Sequence, residues 1–132
     1  MRRLSLAALA GALIAGGLVF AQIPAANAAT ACTVDYTANQ WSTGFTADVK
    51  LTNNGPAISA WTLKFTVGSS VTLSNGWNGS WSQSGTAMTV SNASWNGAIP
   101  TNGSTTTGFQ ATYSGTNPPA TGFTLNGTPC AG

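Results

Sequence analysis

Hydrophobic and polar residues alternate with a period of two along most of the chain beyond residue 30. In Phe45-Thr46-Ala47-Asp48-Val49-Lys50-Leu51 the odd positions are apolar and the even ones polar. Trp61-Thr62-Leu63-Lys64-Phe65-Thr66-Val67 repeats the pattern, and Thr107, Phe109, Ala111 and Tyr113 alternate with Gly108, Gln110 and Thr112. Successive side chains of a strand point to opposite faces, so each segment predicts a strand with one buried side. Shorter strands are expected at 34–37, 70–73, 79–83, 87–91 and 123–126. Turn-forming runs separate them: Asn53-Asn54-Gly55-Pro56, Ser84-Gly85, Asn102-Gly103 and Asn117-Pro118-Pro119. No window in this region carries a helical period. About eight or nine short strands with tight turns predict an all-β chain, an antiparallel β-sandwich of jelly-roll or immunoglobulin-like type.

The start of the chain follows another pattern. Met1-Arg2-Arg3 is basic, residues 4–19 are an apolar run diluted with Ala and Gly, and Pro24 precedes the small-x-small tripeptide Ala26-Asn27-Ala28. The apolar run is too short to cross a membrane. Its flanks match a secretory signal peptide cleaved after Ala28. Residues 1–28 are therefore expected to be a signal peptide, and 29–132 one secreted, extracellular domain, taken as a monomer. No linker, repeat array or second domain is legible. Cys32 and Cys130 are the two cysteines. In an exported chain this even count predicts a disulfide joining the ends of the domain. On the chain-entropy model a loop of this length stabilises the fold by about 4–5 kcal/mol.

Charge narrows the choice of partner. Beyond residue 28 the charged side chains are Lys50, Lys64, Asp35 and Asp48, so their charges cancel. The basic pI of 8.8 thus comes from the two arginines of the leader. Nucleic acid and anionic membrane surfaces require a basic patch, and none is available. A surface rich in Asn, Ser, Thr and Gly suits a neutral polar partner.

The chemistry of catalysis is scarce. The sequence has no histidine, which removes the usual general base and metal ligand. A cofactor or metal site is not expected. Glycoside hydrolysis requires two carboxylates flanking one bond, and nothing in the sequence brings Asp35 and Asp48 together. No serine has an activating base. A non-enzymatic role is expected.

Five tryptophans remain to be explained. Trp61 lies in phase with Leu63, Phe65 and Val67 and is read as core. Trp41 in NQWSTGF, Trp77 in NGWNGSW and Trp95 in ASWNGAI have small or amide neighbours that do not cover an indole. The bland reading tucks them over the ends of the sandwich. Trp81, in SWSQS, is read as core or sub-surface support. Exposed aromatic patches mark binding sites. The axial C–H groups of a β-linked glucose ring form a flat apolar face that an indole matches, and amides at the rim meet its equatorial hydroxyls.

The segments NQWSTGF, NGWNGSWSQSG, ASWNGAIP, GFQATYSG and LNGTPC together resemble the bacterial family 2 carbohydrate-binding modules, in order and across residues 31–130. The resemblance implies a β-sandwich closed end to end by a disulfide, with residues 29–132 as the module. It implies a flat face bearing Trp41, Trp77 and Trp95, with polar ligand positions at Asn39, Asp48, Asn75 and Gln110. Asp48 and Gln110 depart from the family pattern, where Asn is expected. The family has cellulose-binding and xylan-binding branches. Gly44 leaves room for the Trp41 indole to lie flat, which resembles the crystalline-cellulose branch, and chitin shares the ring geometry. The alternatives are a xylan-binding module, a structural or adhesive wall protein using the same patch, and a weak hydrolase. Asn78, Asn92, Asn102 and Asn126 each begin an N-x-S/T pattern, read as a consequence of composition rather than as glycosylation sites.

Overall fold

Each alternating segment needs a second layer to cover its apolar side. The computed structural model, which describes residues 31–132, supplies it as a second sheet. The proposed leader at 1–28 lies outside the described residues. The strands are β1 Cys32–Gln40, β2 Gly44–Asn53, β3 Thr62–Thr66, β4 Thr72–Trp77, β5 Ser80–Ser84, β6 Ala87–Ser91, β7 Ser104–Thr112, β8 Thr121–Leu125 and β9 Thr128–Pro129. They form a five-stranded sheet in the order β9-β8-β3-β6-β5 and a four-stranded sheet in the order β1-β2-β7-β4. Every pairing is antiparallel. The expected all-β sandwich is the fold, with no helix among the described residues.

The two inner faces make one aromatic core. Phe45, Ala47, Val49 and Leu51 of β2 and Phe109 and Ala111 of β7 face Leu63, Phe65, Met88, Val90, Phe123 and Leu125 of the other sheet, all buried. Phe45 meets Phe109 edge to face at 5.6 Å between ring centroids, and Phe65 lies 5.0 Å from Phe123. Burying such rings contributes about 1.5–3 kcal/mol each to folding. The ends are joined by the Cys32–Cys130 disulfide, whose Cα atoms are 4.6 Å apart. A backbone bond from Val34 N–H to the Ala131 carbonyl adds to this closure.

Trp61 is buried as expected, just ahead of β3. Trp81 reaches inward from the edge strand β5 and packs 4.8 Å from Phe109 and edge-on to Phe65. It is therefore a core-facing residue.

One strand differs from expectation. The alternation predicts strand at 70–73 and next at 79–83, with none at Asn75-Gly76-Trp77, but β4 runs through to Trp77. The register shifts between Leu73 and Asn75, which breaks the period of two. Gly76 then faces inward opposite Phe109. A side chain there would collide with the Trp81 ring, which fills the space from the other sheet. The strand thus hides its inward position behind a glycine.

Candidate functional site

The outer face of the four-stranded sheet is organised by its register. Counting across the sheet, Asn39, Thr46, Gln110 and Asn75 form one row. Thr37, Asp48, Gly108 and Trp77 form the next row. The row on the other side holds Gly44, Thr112 and Thr72. Asn39, Asp48 and Asn75 are exposed and Gln110 is partly exposed. The four nominated polar residues thus share one face with Trp77.

Trp41 belongs to the hairpin loop between β1 and β2, closed by a bond from its own N–H to the Gly44 carbonyl at 2.9 Å. The chain doubles back, and the indole lies against Gly44. A Cβ added there would stand 3.0 Å from Trp41 Cζ2 and 2.9 Å from the Ala111 carbonyl oxygen. The opposite side of the Trp41 ring faces solvent, and the residue is 45% exposed. Gly108 performs the same service for Trp77. A Cβ on Gly108 would lie 2.6 Å from Trp77 Cε2 and 2.7 Å from Cζ2. The Trp77 indole therefore spreads from β4 across β7, one side on bare backbone, and the residue is half-buried rather than uncovered. Gly44 and Asp48 are four residues apart on β2, so the rows under the two rings are about 13 Å apart. The row of amides lies between them.

Trp95 comes from the loop after β6 and is 73% exposed. That loop is held by Asn96. Its Oδ1 accepts from Ala93 N–H at 2.7 Å, and its Nδ2 donates to the Asn78 carbonyl at 3.0 Å. Asn78 follows Trp77 directly, so the Trp95 loop is tied to the turn that ends β4. The Asn96 carbonyl in turn accepts the indole N–H of buried Trp61 at 2.8 Å. A core tryptophan thus fixes the loop of an exposed one.

Further donors anchor the rings through the backbone. The Tyr113 hydroxyl donates to the Trp41 carbonyl at 2.6 Å. The Trp77 carbonyl accepts from Thr107 Oγ1 at 2.8 Å and from Trp81 Nε1 at 3.3 Å. Asn78 takes a left-handed conformation, φ 54°, which asparagine tolerates better than most residues. Sequence reasoning missed Tyr113, Asn96 and Gly108. The Gly-x-Gln alternation around residue 108 was legible, but only the register shows which ring that glycine admits.

The carboxylates require a correction. Asp35 lies opposite Lys50 and Asp48 opposite Thr37, so the fold does bring the two acids onto one face as diagonal neighbours on adjacent strands. Such diagonals are separated by about 7–8 Å between Cα atoms. Both acids are exposed. Among the described residues no pocket forms around them. Glycoside hydrolysis places two carboxylates on either side of one glycosidic bond; here both stand on the open face of the sheet. Among the described residues there is also no cluster of three or more His, Cys, Asp or Glu side chains that would hold a metal.

Comparison with known proteins identifies the family of the chain. A family model described as cellulose binding domain matches residues 32–130. The chain is 46% identical to endoglucanase CelA of Streptomyces lividans, aligned over 100% of this chain and 29% of that protein. It is 50% identical to endoglucanase A of Cellulomonas fimi, over 82% of this chain and 24% of that one. The chain thus spans less than a third of the length of either relative. Among solved structures, the chitin-binding domain of Chi18aC from Streptomyces coelicolor superposes with a TM-score of 0.62 at 27% identity, covering 79% of this chain and 98% of that domain. The cellulose-binding family 2 domain of ScLPMO10C does so with a TM-score of 0.57 at 32% identity, covering 78% and 98%.

Proposed function

Since the chain belongs to the cellulose binding domain family, matched over residues 32–130, we propose that it is a secreted, non-catalytic module that adsorbs to crystalline cellulose through Trp41, Trp77 and Trp95. The family is one of binding modules. Its glucanase relatives are far longer than the stretch they share with this chain. The observation that carries the proposal is the pairing of indoles with bare glycine backbone. Gly44 under Trp41 and Gly108 under Trp77 let both rings lie close to the sheet. A low, open surface suits the flat face of a crystal, whereas a single bent chain calls for a cleft.

In this reading the indoles stack on the apolar faces of glucose rings. Asn39, Asn75 and Gln110 then exchange hydrogen bonds with hydroxyls at the ring edges. Burying one indole face removes about 60–80 Å² of apolar surface, worth roughly 1.5–2 kcal/mol at about 25 cal/mol/Å². Three faces give on the order of 5–6 kcal/mol, and rim hydrogen bonds add a little. The sum corresponds to binding at roughly 100 micromolar or somewhat tighter. The anchoring bonds to the Trp41, Trp77 and Asn78 carbonyls matter because rings ordered by the fold lose little entropy on binding.

Chitin is a second candidate surface, favoured by the structural likeness to a chitin-binding domain. Gly44 argues against the xylan-binding alternative, because a bulky residue there would displace the Trp41 ring and glycine leaves it flat. Co-sedimentation with microcrystalline cellulose, chitin and insoluble xylan tests the proposal. The module is expected to pellet with cellulose and to release no sugar. Retention in the supernatant with cellulose, by a chain with a normal melting transition, refutes it.

A further inference from the structure

The two outer faces of the sandwich differ in charge as well as in aromatic content. The four-stranded face carries Asp35, Asp48 and Lys50, a net charge of −1, and the five-stranded face carries Lys64. Lys50 stands opposite Asp35 on the neighbouring strand, so these two charges lie side by side. Asp48 has only Thr37 and Gly108 across from it. Gly108 is also the floor under the Trp77 indole. The exposed carboxylate of Asp48, with Lys50 two residues along the same face of β2, therefore sits one strand beyond the Trp77 ring, in the same row, beside any polymer chain lying on that ring.

We propose that Asp48 is a charge-selecting residue of the adsorption face, admitting β-1,4-glucan surfaces that are neutral or carry ammonium groups and disfavouring surfaces that carry carboxylates. The inference rests on the adsorption reading above, and it concerns which surfaces that face accepts. The physical reason is range. A polysaccharide surface bearing regular carboxylates presents several like charges within one screening length, which is about 30 Å at 0.01 M salt and 3 Å at 1 M. A carboxylate held against such a surface by the neighbouring ring is repelled at low salt and indifferent at high salt. A neutral crystal imposes no such penalty.

Adsorption isotherms on three cellulose nanofibre preparations test this: unmodified, surface-carboxylated, and substituted with quaternary ammonium groups. At 0.01 M salt the parent chain is expected to bind the carboxylated fibres at least ~3-fold more weakly than the unmodified ones, and the ammonium fibres at least as well as the unmodified ones. In 1 M salt the differences should vanish. Asp48→Asn is expected to bring the carboxylated-to-unmodified ratio close to one at low salt. In 0.15 M salt, where the screening length is about 8 Å, Asp35→Asn, one row and one strand farther from the Trp77 ring, should remove less of the discrimination than Asp48→Asn. Equal binding of the parent to all three fibres at low salt overturns the inference. Equal effects of Asp35→Asn and Asp48→Asn in 0.15 M salt also overturn it, because net charge alone would then explain the selectivity. Failure of the parent to bind unmodified cellulose is a different result, and it defeats the adsorption reading itself.

Discussion

The two sheets of this sandwich use similar strands and turn very different faces to solvent. The outer side of the five-stranded sheet is made of Ser80, Ser82, Ser84, Thr89, Ser91, Thr62, Lys64, Thr66 and Thr124. No ring lies among them. The outer side of the four-stranded sheet is also rich in threonines, but it adds glycines at Gly44 and Gly108 with an indole against each. An indole standing on an ordinary residue would project as a ridge. On glycine it can lie close to the sheet. A ring and the space beneath it are thus specified together, by residues from different strands.

The strongest way to break the contrast between inside and outside is Trp61→Ala. Its ring is buried and its N–H holds Asn96, so the change should cost about 3–5 kcal/mol of folding stability. Thermal melting would show this as a large fall in Tm. A variant that melts like the parent would mean the core does not depend on this residue. High pH probes the inside in another way. Burial pushes the Tyr36 phenol up to about 12. The native state keeps a proton that the unfolded chain releases near pH 10, so the associated stability is complete below pH 10 and lost as the pH rises toward 12. Allowing for the ring's partial exposure, the loss is about 1–2 kcal/mol. Denaturant melts between pH 9 and 12 should show it, and Tyr36→Phe should flatten that part of the curve. An unchanged slope in Tyr36→Phe would assign the alkaline loss elsewhere.

The outer rings should behave in the opposite sense. Trp41→Ala, Trp77→Ala and Trp95→Ala are each expected to lose about 1–2 kcal/mol of cellulose affinity, one stacked face apiece. Trp95→Ala should leave the melting curve in place. Trp77→Ala should lower stability by about 1 kcal/mol, because one side of its ring packs on the sheet. Adsorption isotherms beside melting curves separate the two quantities, and a Trp95→Ala variant that loses stability instead of affinity would reverse its assignment. The smallest expected effect is at Asn96. Asn96→Asp keeps the acceptor for Ala93 N–H and loses the donor to Asn78, and should weaken adsorption by about threefold. An unchanged isotherm would show that the bridge does not align Trp95.

Much of the fold was legible where one face of a strand is buried without interruption. The segments 45–51 and 61–67 show this, because every inward position holds an apolar side chain. Legibility failed at β4 for a physical reason. A bulge moves the phase between Leu73 and Asn75, and the inward position is Gly76, whose volume is supplied by Trp81 from the opposite sheet. A strand that borrows its core residue from elsewhere has no pattern of its own. The asparagines show a related effect. Asn78, Asn102 and Asn126, three of the four in N-x-S/T patterns, have positive φ. They are turn residues, with Asn126-Gly127 forming the tight hairpin between β8 and β9. The rings and amides were nominated by motif. Their mutual arrangement was not, because it depends on cross-strand register and on side-chain bonds to distant carbonyls, such as that from Tyr113 to Trp41.

The proposal assigns adsorption to Trp41, Trp77 and Trp95 and none of it to the outer side of the five-stranded sheet. The most direct measurement compares two triple variants on microcrystalline cellulose, each first shown by melting to be folded. Trp41→Ala/Trp77→Ala/Trp95→Ala strips the rings, and Ser82→Ala/Lys64→Ala/Thr124→Ala alters the opposite face. The account predicts that the first stays in the supernatant at every cellulose loading and that the second pellets with the parent's isotherm. Pelleting of the ring-free chain, or loss of adsorption in the opposite-face variant, would contradict it.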